Sequence, residues 1–219
     1  MEIVLRIIIY GIPILLAITL HEAAHGYAAL YFGDDTAKRA GRISINPIRH
    51  IDPVGTILLP GILLLMGSHV LFGYAKPVPV DFSRLRHPRR DSVYVAGAGP
   101  ATNLFLAFIS ALLMHFLVFL PSEVAPLFQE MLTISLWINV ALAVINMIPI
   151  PPLDGGRVAV GLLPDFLAMP LARIEPFGIF IIFGLILIPQ LFGINILGWL
   201  FLHPIKLIIE FISLLAGLS

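Results

Sequence analysis

The sequence predicts an all-α, polytopic membrane protein. Three observations carry that expectation. Hydrophobic residues fill 59% of the 219 positions and charged residues 12%, against roughly a quarter charged in an average soluble domain; mean hydropathy is +1.00. Apolar runs long enough to cross a bilayer, roughly 20 residues, recur along the chain. Lys and Arg are absent between Asp91 and Gly156 and crowded on either side, the asymmetry that orients membrane helices. Net charge is zero, so no bulk attraction to nucleic acid is expected. With no cysteine, disulfides and thiolate metal sites are excluded.

The first span is Val4 to Phe32, interrupted by Arg6 and by HEAAH at His21 to His25. That polar cluster, and the lack of a cleavage site, argue for a retained helix rather than a removable signal peptide. Val54 to Phe72 is long enough to cross but is broken at Pro60-Gly61, and basic residues flank both its ends. Both ends should therefore face the cytoplasm, which makes it a re-entrant hairpin buried in protein or lining a cavity. Val93 to Leu120 then returns outward. Pro121 to Glu130, with two Glu and no Lys or Arg, is an outer loop, and Met131 to Ile150 comes back in. Pro176 to Leu197 and the weaker Ile196 to Leu218 make further helices. The chain reads as a single membrane domain over 1–219, with a core over about 4–157 and C-terminal helices over about 174–218. Arg42 to Asn46 alternates with period two, as a short strand does. Lys76 to Phe82 (KPVPVDF) is extended, its prolines suiting a sheet edge. A small sheet on the cytoplasmic side is one expectation; loops wrapping the helix ends are the other.

His21 and His25 are four residues apart, so on a helix they lie on one face, about 6 Å apart along the axis. That suits two imidazoles on one tetrahedral zinc, with Glu22 beside them as general base, the HExxH arrangement. A polar seam between helices would explain one His, not two His and a Glu. Ionisable groups at membrane depth cost at least about 2.5 kcal/mol and point to function. A third ligand is needed. Asp154, in NMIPIPPLDGGR, follows a proline-broken helix end and precedes two glycines; its alternative role is a helix N-cap. His50 and Asp52 are rival ligands, or turn-stabilising groups beside two prolines. His69, His87, His115 and His203 are isolated and read as surface, interface or packing residues.

HEAAH, AGPATN (Ala98 to Asn103) and NMIPIPPLDGG together resemble the site-2 protease family of intramembrane zinc metalloproteases. Gly33 to Thr56 and FGYAKPVPV (Phe72 to Val80) resemble its compact prokaryotic branch, without a PDZ or CBS domain. The likeness runs from about Thr19 to Arg157. It implies a three-helix catalytic core in a cell membrane with the active site toward the cytoplasm. It implies one zinc on His21, His25 and Asp154, and Glu22 as catalytic base. It implies that Asn146 holds the substrate backbone or the developing oxyanion, that Asn103 lies near the substrate, and that transmembrane proteins are the substrates. Asn146 has a plainer alternative, a helix-to-helix hydrogen bond. Two other functions use the same residues: a metal transporter with the cluster as a transit site, and an inactive scaffold that binds membrane proteins. A transporter would want further metal sites along a path; intact Glu22 argues against the scaffold.

Overall fold

The computed structural model describes residues 2–58, 62, 76–178, 180, 181, 184 and 198–218. Its elements are helical: α1 (Glu2–Tyr31), α2 (Thr36–Arg39), α3 (Pro88–Met114), α4 (Ala125–Asn146), α5 (Asp154–Leu162), α6 (Asp165–Arg173) and α7 (His203–Ala216), joined by short 3₁₀ and wide helical turns. α1, α3 and α4 pack against one another in a three-helix core. Among the described residues these are the three helices long and apolar enough to cross a membrane. Only 22–33% of each apolar window is buried inside the protein. An apolar surface left uncovered to that extent suits a lipid surround, where helices gain little by burying Leu or Ile against each other. What packs instead is small: Ala17, Ala23 and Ala29 of α1, Ala96, Ala107 and Ala111 of α3, and Ala141 and Ala143 of α4 are all buried. α7 closes one end of the core, where Ile205, Ile212 and Ala216 join Ala107, Ala111, Leu136 and Val140.

Helix ends depart from the expected spans for local reasons. α3 begins at Pro88, five residues before Val93, because Pro88 takes the first turn and Asp91 accepts the His87 N–H at 2.8 Å, a back-bonding cap. α4 begins at Ala125, inside the expected outer loop, with Pro126 in its first turn. It stops at Asn146, ahead of Pro149, Pro151 and Pro152. The chain then doubles back so tightly that a Cβ on Gly155 would sit 2.3 Å from the Met147 carbonyl, and one on Gly156 2.2 Å from Pro151 N. The two glycines are required by this close approach at the start of α5.

Among the described residues there is no strand, so the small sheet is not observed. Residues 42–46 and 76–81 run as loops against the end of α1. Pro77 and Pro79 cannot donate to a ladder, and three other amides of that segment are spent elsewhere. Lys76 N–H goes to His50 O at 2.9 Å, Val78 N–H to Glu22, and Asp81 N–H to Asp34. Of the expected hairpin, Pro53–Leu58 forms one wide helical turn, while 59–61 and 63–72 lie outside the described residues, as does most of 176–197.

Candidate metal centre

His21 and His25 sit on successive turns of α1, in a stretch where that helix faces α3 and α4. Their rings are 4.6 Å apart between centroids, and their Nε2 atoms 3.0 Å apart. The first turn of α5 brings Asp154 Oδ2 to 3.2 Å from His21 Nε2 and 3.3 Å from His25 Nε2. Asp154 is not the N-cap of its helix; Leu153 takes that position. The three side chains offer ligand atoms within 4.8 Å of one another, a group able to hold a metal ion.

The hydrogen bonds on the far side of each ring say which nitrogen faces the cluster. His25 Nδ1 lies 2.7 Å from the Val95 carbonyl, an acceptor only, so Nδ1 carries the proton and donates it. His21 Nδ1 lies 2.5 Å from Asn103 Oδ1 and donates likewise. In neutral imidazoles both Nε2 atoms then carry lone pairs. Two lone pairs 3.0 Å apart, with a carboxylate oxygen closing the triangle, repel one another unless a cation lies among them. Asp154 Oδ2 is buried and has no hydrogen-bond partner, a costly condition for a carboxylate. Space is left for an ion by Gly99 of α3: a Cβ there would stand 2.5 Å from His25 Nε2 and 2.6 Å from His21 Nε2. Two imidazoles and one carboxylate form the donor set of a zinc site with an open position, and the residues fit it.

Glu22, between the two histidines, is half-buried, and its Oε2 accepts the Val78 N–H at 2.7 Å. The 76–82 segment that delivers this amide is pinned along its length. Arg42 Nη2 donates to Lys76 O at 2.7 Å. Arg157, one turn into α5, lies over the Phe82 ring, 4.4 Å from its centroid. Asp34 Oδ2 accepts the Asp81 N–H at 2.8 Å, while Asp34 Oδ1 takes the Thr36 N–H at 2.9 Å and the Thr36 hydroxyl at 2.5 Å. Burial pushes the Asp34 carboxyl up. The Thr36 hydroxyl and amide, the Asp81 amide and the Arg84 guanidinium outweigh burial and hold it below the ordinary carboxylate range.

The other expected residues fall into place around this centre. Asn103 is fully buried, with its amide nitrogen donating to Ala17 O at 3.2 Å and to Asn139 Oδ1 at 2.8 Å. Asn146, half-buried at the end of α4, donates to Leu142 O at 3.0 Å. His50 and Asp52 are not in the ligand group. His50 Nε2 lies 2.7 Å from Ser44 O, and Asp52 Oδ1 accepts the Val54 and Gly55 N–H groups at 2.9 and 2.7 Å. His115 packs against the end of α7, 2.6 Å from Ala216 O, and His69 lies outside the described residues. Three contributors escaped the sequence reading: Gly99, Asn139 and the Val78 amide. Asn139 had a usable signal, a lone amide inside WINVALAV, since polar groups at membrane depth demand a reason.

Comparison with known proteins bears on the same residues. Positions 121–189, which include Asn146 and Asp154, match the family described as Peptidase family M50. The Bacillus subtilis (strain 168) protein named "Putative zinc metalloprotease YwhC" is 40% identical over 184 residues, covering 82% of this chain and 80% of its own. "Putative zinc metalloprotease Rip2" of Mycobacterium tuberculosis (strain H37Rv) is 30% identical over 189 residues, 85% of this chain and 70% of its own. The Mycolicibacterium smegmatis protein of the same name is 28% identical over 178 residues, 81% and 66%. No solved structure matches.

Proposed function

The chain belongs to peptidase family M50, and from that premise we propose that it hydrolyses peptide bonds within or near the transmembrane segments of membrane proteins. The observation that carries this reading is the convergence of His21, His25 and Asp154 on one point, with Glu22 one residue from the first of them. Those three side chains would hold zinc, which when bound supplies a Lewis acid for the scissile carbonyl and acidifies water. Glu22 then acts as general base, taking the proton of the attacking water and passing it to the leaving amine. The Val78 N–H holds the Glu22 carboxylate in one orientation. The Asn146 amide, at the turn that leads to Asp154, becomes an oxyanion or backbone donor by rotating off Leu142 O. A helical substrate hides its peptide bonds and has to be unwound before cleavage. Lys76, Pro77 and Pro79 are exposed along the segment beside Glu22, and an unwound stretch can lie there.

Orientation follows from charge. The end of α1, the start of α3 and the turn after α4 meet at the metal centre, and the Lys and Arg of 38–49, 76–90 and 157–173 flank it in sequence. The positive-inside rule then puts the site toward the cytoplasm. Cysteines near Arg39 and Arg86 should label only from that side and one near Glu123 only from outside; Arg39 and Arg86 on opposite sides would overturn the topology.

The function is tested by comparing cleaved membrane proteins in cells carrying the wild type and Glu22→Gln. The amide keeps shape and hydrogen-bonding capacity but cannot take the proton. Cleavage should fall by at least about two orders of magnitude while zinc content and folding in detergent are kept. Cleavage at the wild-type rate would remove Glu22 from the chemistry.

A further inference from the structure

Behind His21 a chain of neutral hydrogen bonds runs from α1 across α3 into α4. Asn103 Oδ1 accepts from His21 Nδ1 at 2.5 Å. The Asn103 amide nitrogen donates to Ala17 O at 3.2 Å and to Asn139 Oδ1 at 2.8 Å. The Asn139 amide nitrogen donates to Ser135 O at 2.9 Å, one turn back along α4. Both asparagines are buried, Asn103 completely.

The order of atoms in this chain is not arbitrary. A primary amide offers an acceptor at one end and donors at the other, and turning it over swaps them. Backbone carbonyls accept only. Ser135 O therefore fixes which end of Asn139 points back along α4, and that leaves Asn139 Oδ1 facing Asn103. Asn139 Oδ1 and Ala17 O together fix the Asn103 nitrogen toward themselves, and that leaves Asn103 Oδ1 facing His21. An acceptor there demands a proton on His21 Nδ1, which leaves the Nε2 lone pair facing His25 and Asp154. Turning over either amide would put two donors face to face inside the membrane core.

We propose that Asn139 is a positioning residue for the metal centre: acting through Asn103, it fixes His21 in the tautomer that ligates through Nε2. The proposal rests on the zinc-site reading above and extends it to α4, a helix that supplies no ligand. His25 needs no such relay, since Val95 O holds it directly.

Zinc affinity of the purified protein, measured by chelator competition, tests this without reference to activity. Asn139→Leu keeps the branching and heavy-atom count of the side chain and removes both ends of the amide. It should weaken zinc by about 10–100-fold, the usual cost of losing a group that orients a metal-bound histidine. Asn139→Asp keeps an acceptor for Asn103 and, with its carboxyl proton, a donor for Ser135 O, and should bind within about threefold of wild type. Thr133, exposed on α4 with its hydroxyl on Gln129 O at 2.8 Å and outside the relay, is the control, and Thr133→Ala should change nothing. Equal losses in Asn139→Leu and Asn139→Asp would reduce Asn139 to packing and overturn the proposal, as would wild-type affinity in Asn139→Leu. Independently of any variant, ¹⁵N spectra of the zinc-loaded wild type should show His21 bound through Nε2 with Nδ1 protonated; ligation through Nδ1 would overturn the relay. A wild type that takes no zinc would sink the metal site itself.

Discussion

The two faces of the metal centre are held by different chemistry. On the membrane side, His21 and His25 lean on Asn103, Asn139, Val95 O and Ala17 O, all neutral amides and carbonyls. On the loop side the contacts are charged: Asp34 and Asp35 with Arg84, Arg157 with Glu175, and Arg89 with Asp165. The division follows from solvation. A charge far from water carries a desolvation cost that its partner seldom recovers, so only neutral groups can orient a ligand there. Near water, a charged pair is cheap to form and contributes little, because solvent screens it. The membrane face should therefore fail sharply and in metal binding, and the loop face gradually and in stability.

Gly99→Ala should have the largest effect. The added Cβ falls 2.5 Å from His25 Nε2, where an ion would sit. In a helix interior Ala is favoured over Gly by about 1 kcal/mol, but overpacking against the two buried rings costs about 1–3 kcal/mol, so melting should fall slightly or stay level while zinc binding falls by at least about tenfold. Gly97→Ala, whose Cβ would meet nothing within 4 Å, should keep its zinc. Comparing zinc content and melting of the two purified proteins separates the effects. Full zinc content in Gly99→Ala would mean that the cleft beside α3 is not where the ion lies.

This contrast also marks what the sequence could reveal. The HEAAH spacing states its geometry, because a helix converts a four-residue interval into one face. Asp154 was legible because two histidines on one helix face call for a third ligand; taken alone, it reads as a helix N-cap. Spans were legible and their ends were not: apolar content fixes the length that lipid covers, whereas Pro88, Asp91 and Pro126 set where helices begin. The amides behind His21 share no local pattern, since Asn103 and Asn139 are 36 residues apart on different helices. The Val78 contact to Glu22 joins residues 56 apart, one of them through its backbone, which no side-chain pattern encodes. Period two in RISIN suggested a strand, but period describes which side chains alternate, not where the amides bond.

On the loop face Asp34, like Asp91 at the start of α3, departs from the rule as a carboxylate with no exposed surface. It joins the end of α1 to the segment that reaches Glu22. Asp34→Asn would set an amide NH₂ against donors from Thr36 or Asp81, costing about 1–3 kcal/mol. Its pH dependence has a definite sign. The folded-state pKa is lowered, so the carboxylate's contribution is complete above its unfolded value, about 3.9. That contribution is lost as pH falls through the lower folded value. Melting in detergent should show a constant gap between wild type and variant from neutral pH down to about 5, and a closing gap below about 4. A gap that closes near pH 6 would point to a histidine instead.

The smallest effect belongs to Asp165. Its carboxylate lies 2.7 Å from Arg89 Nη1, a short contact, yet the two side chains are 82% and 53% exposed. Proximity alone would suggest a strong pair; exposure decides against it. Surface pairs of this kind are worth about 0.2–1 kcal/mol. Arg89 keeps other work when Asp165 is neutralised, because its guanidinium also donates to the Gly161 and Leu163 carbonyls, joining the start of α3 to the end of α5. Asp165→Asn should therefore shift stability by about 0.5 kcal/mol or less, and the shift should vanish in high salt. Arg89→Met removes the carbonyl bonds as well and should cost more, in a part that salt does not change. A double-mutant cycle on melting isolates the pair. A coupling well above about 1 kcal/mol would mean that this end of the molecule is drier than its exposure indicates, and the division between the two faces would have to be redrawn there.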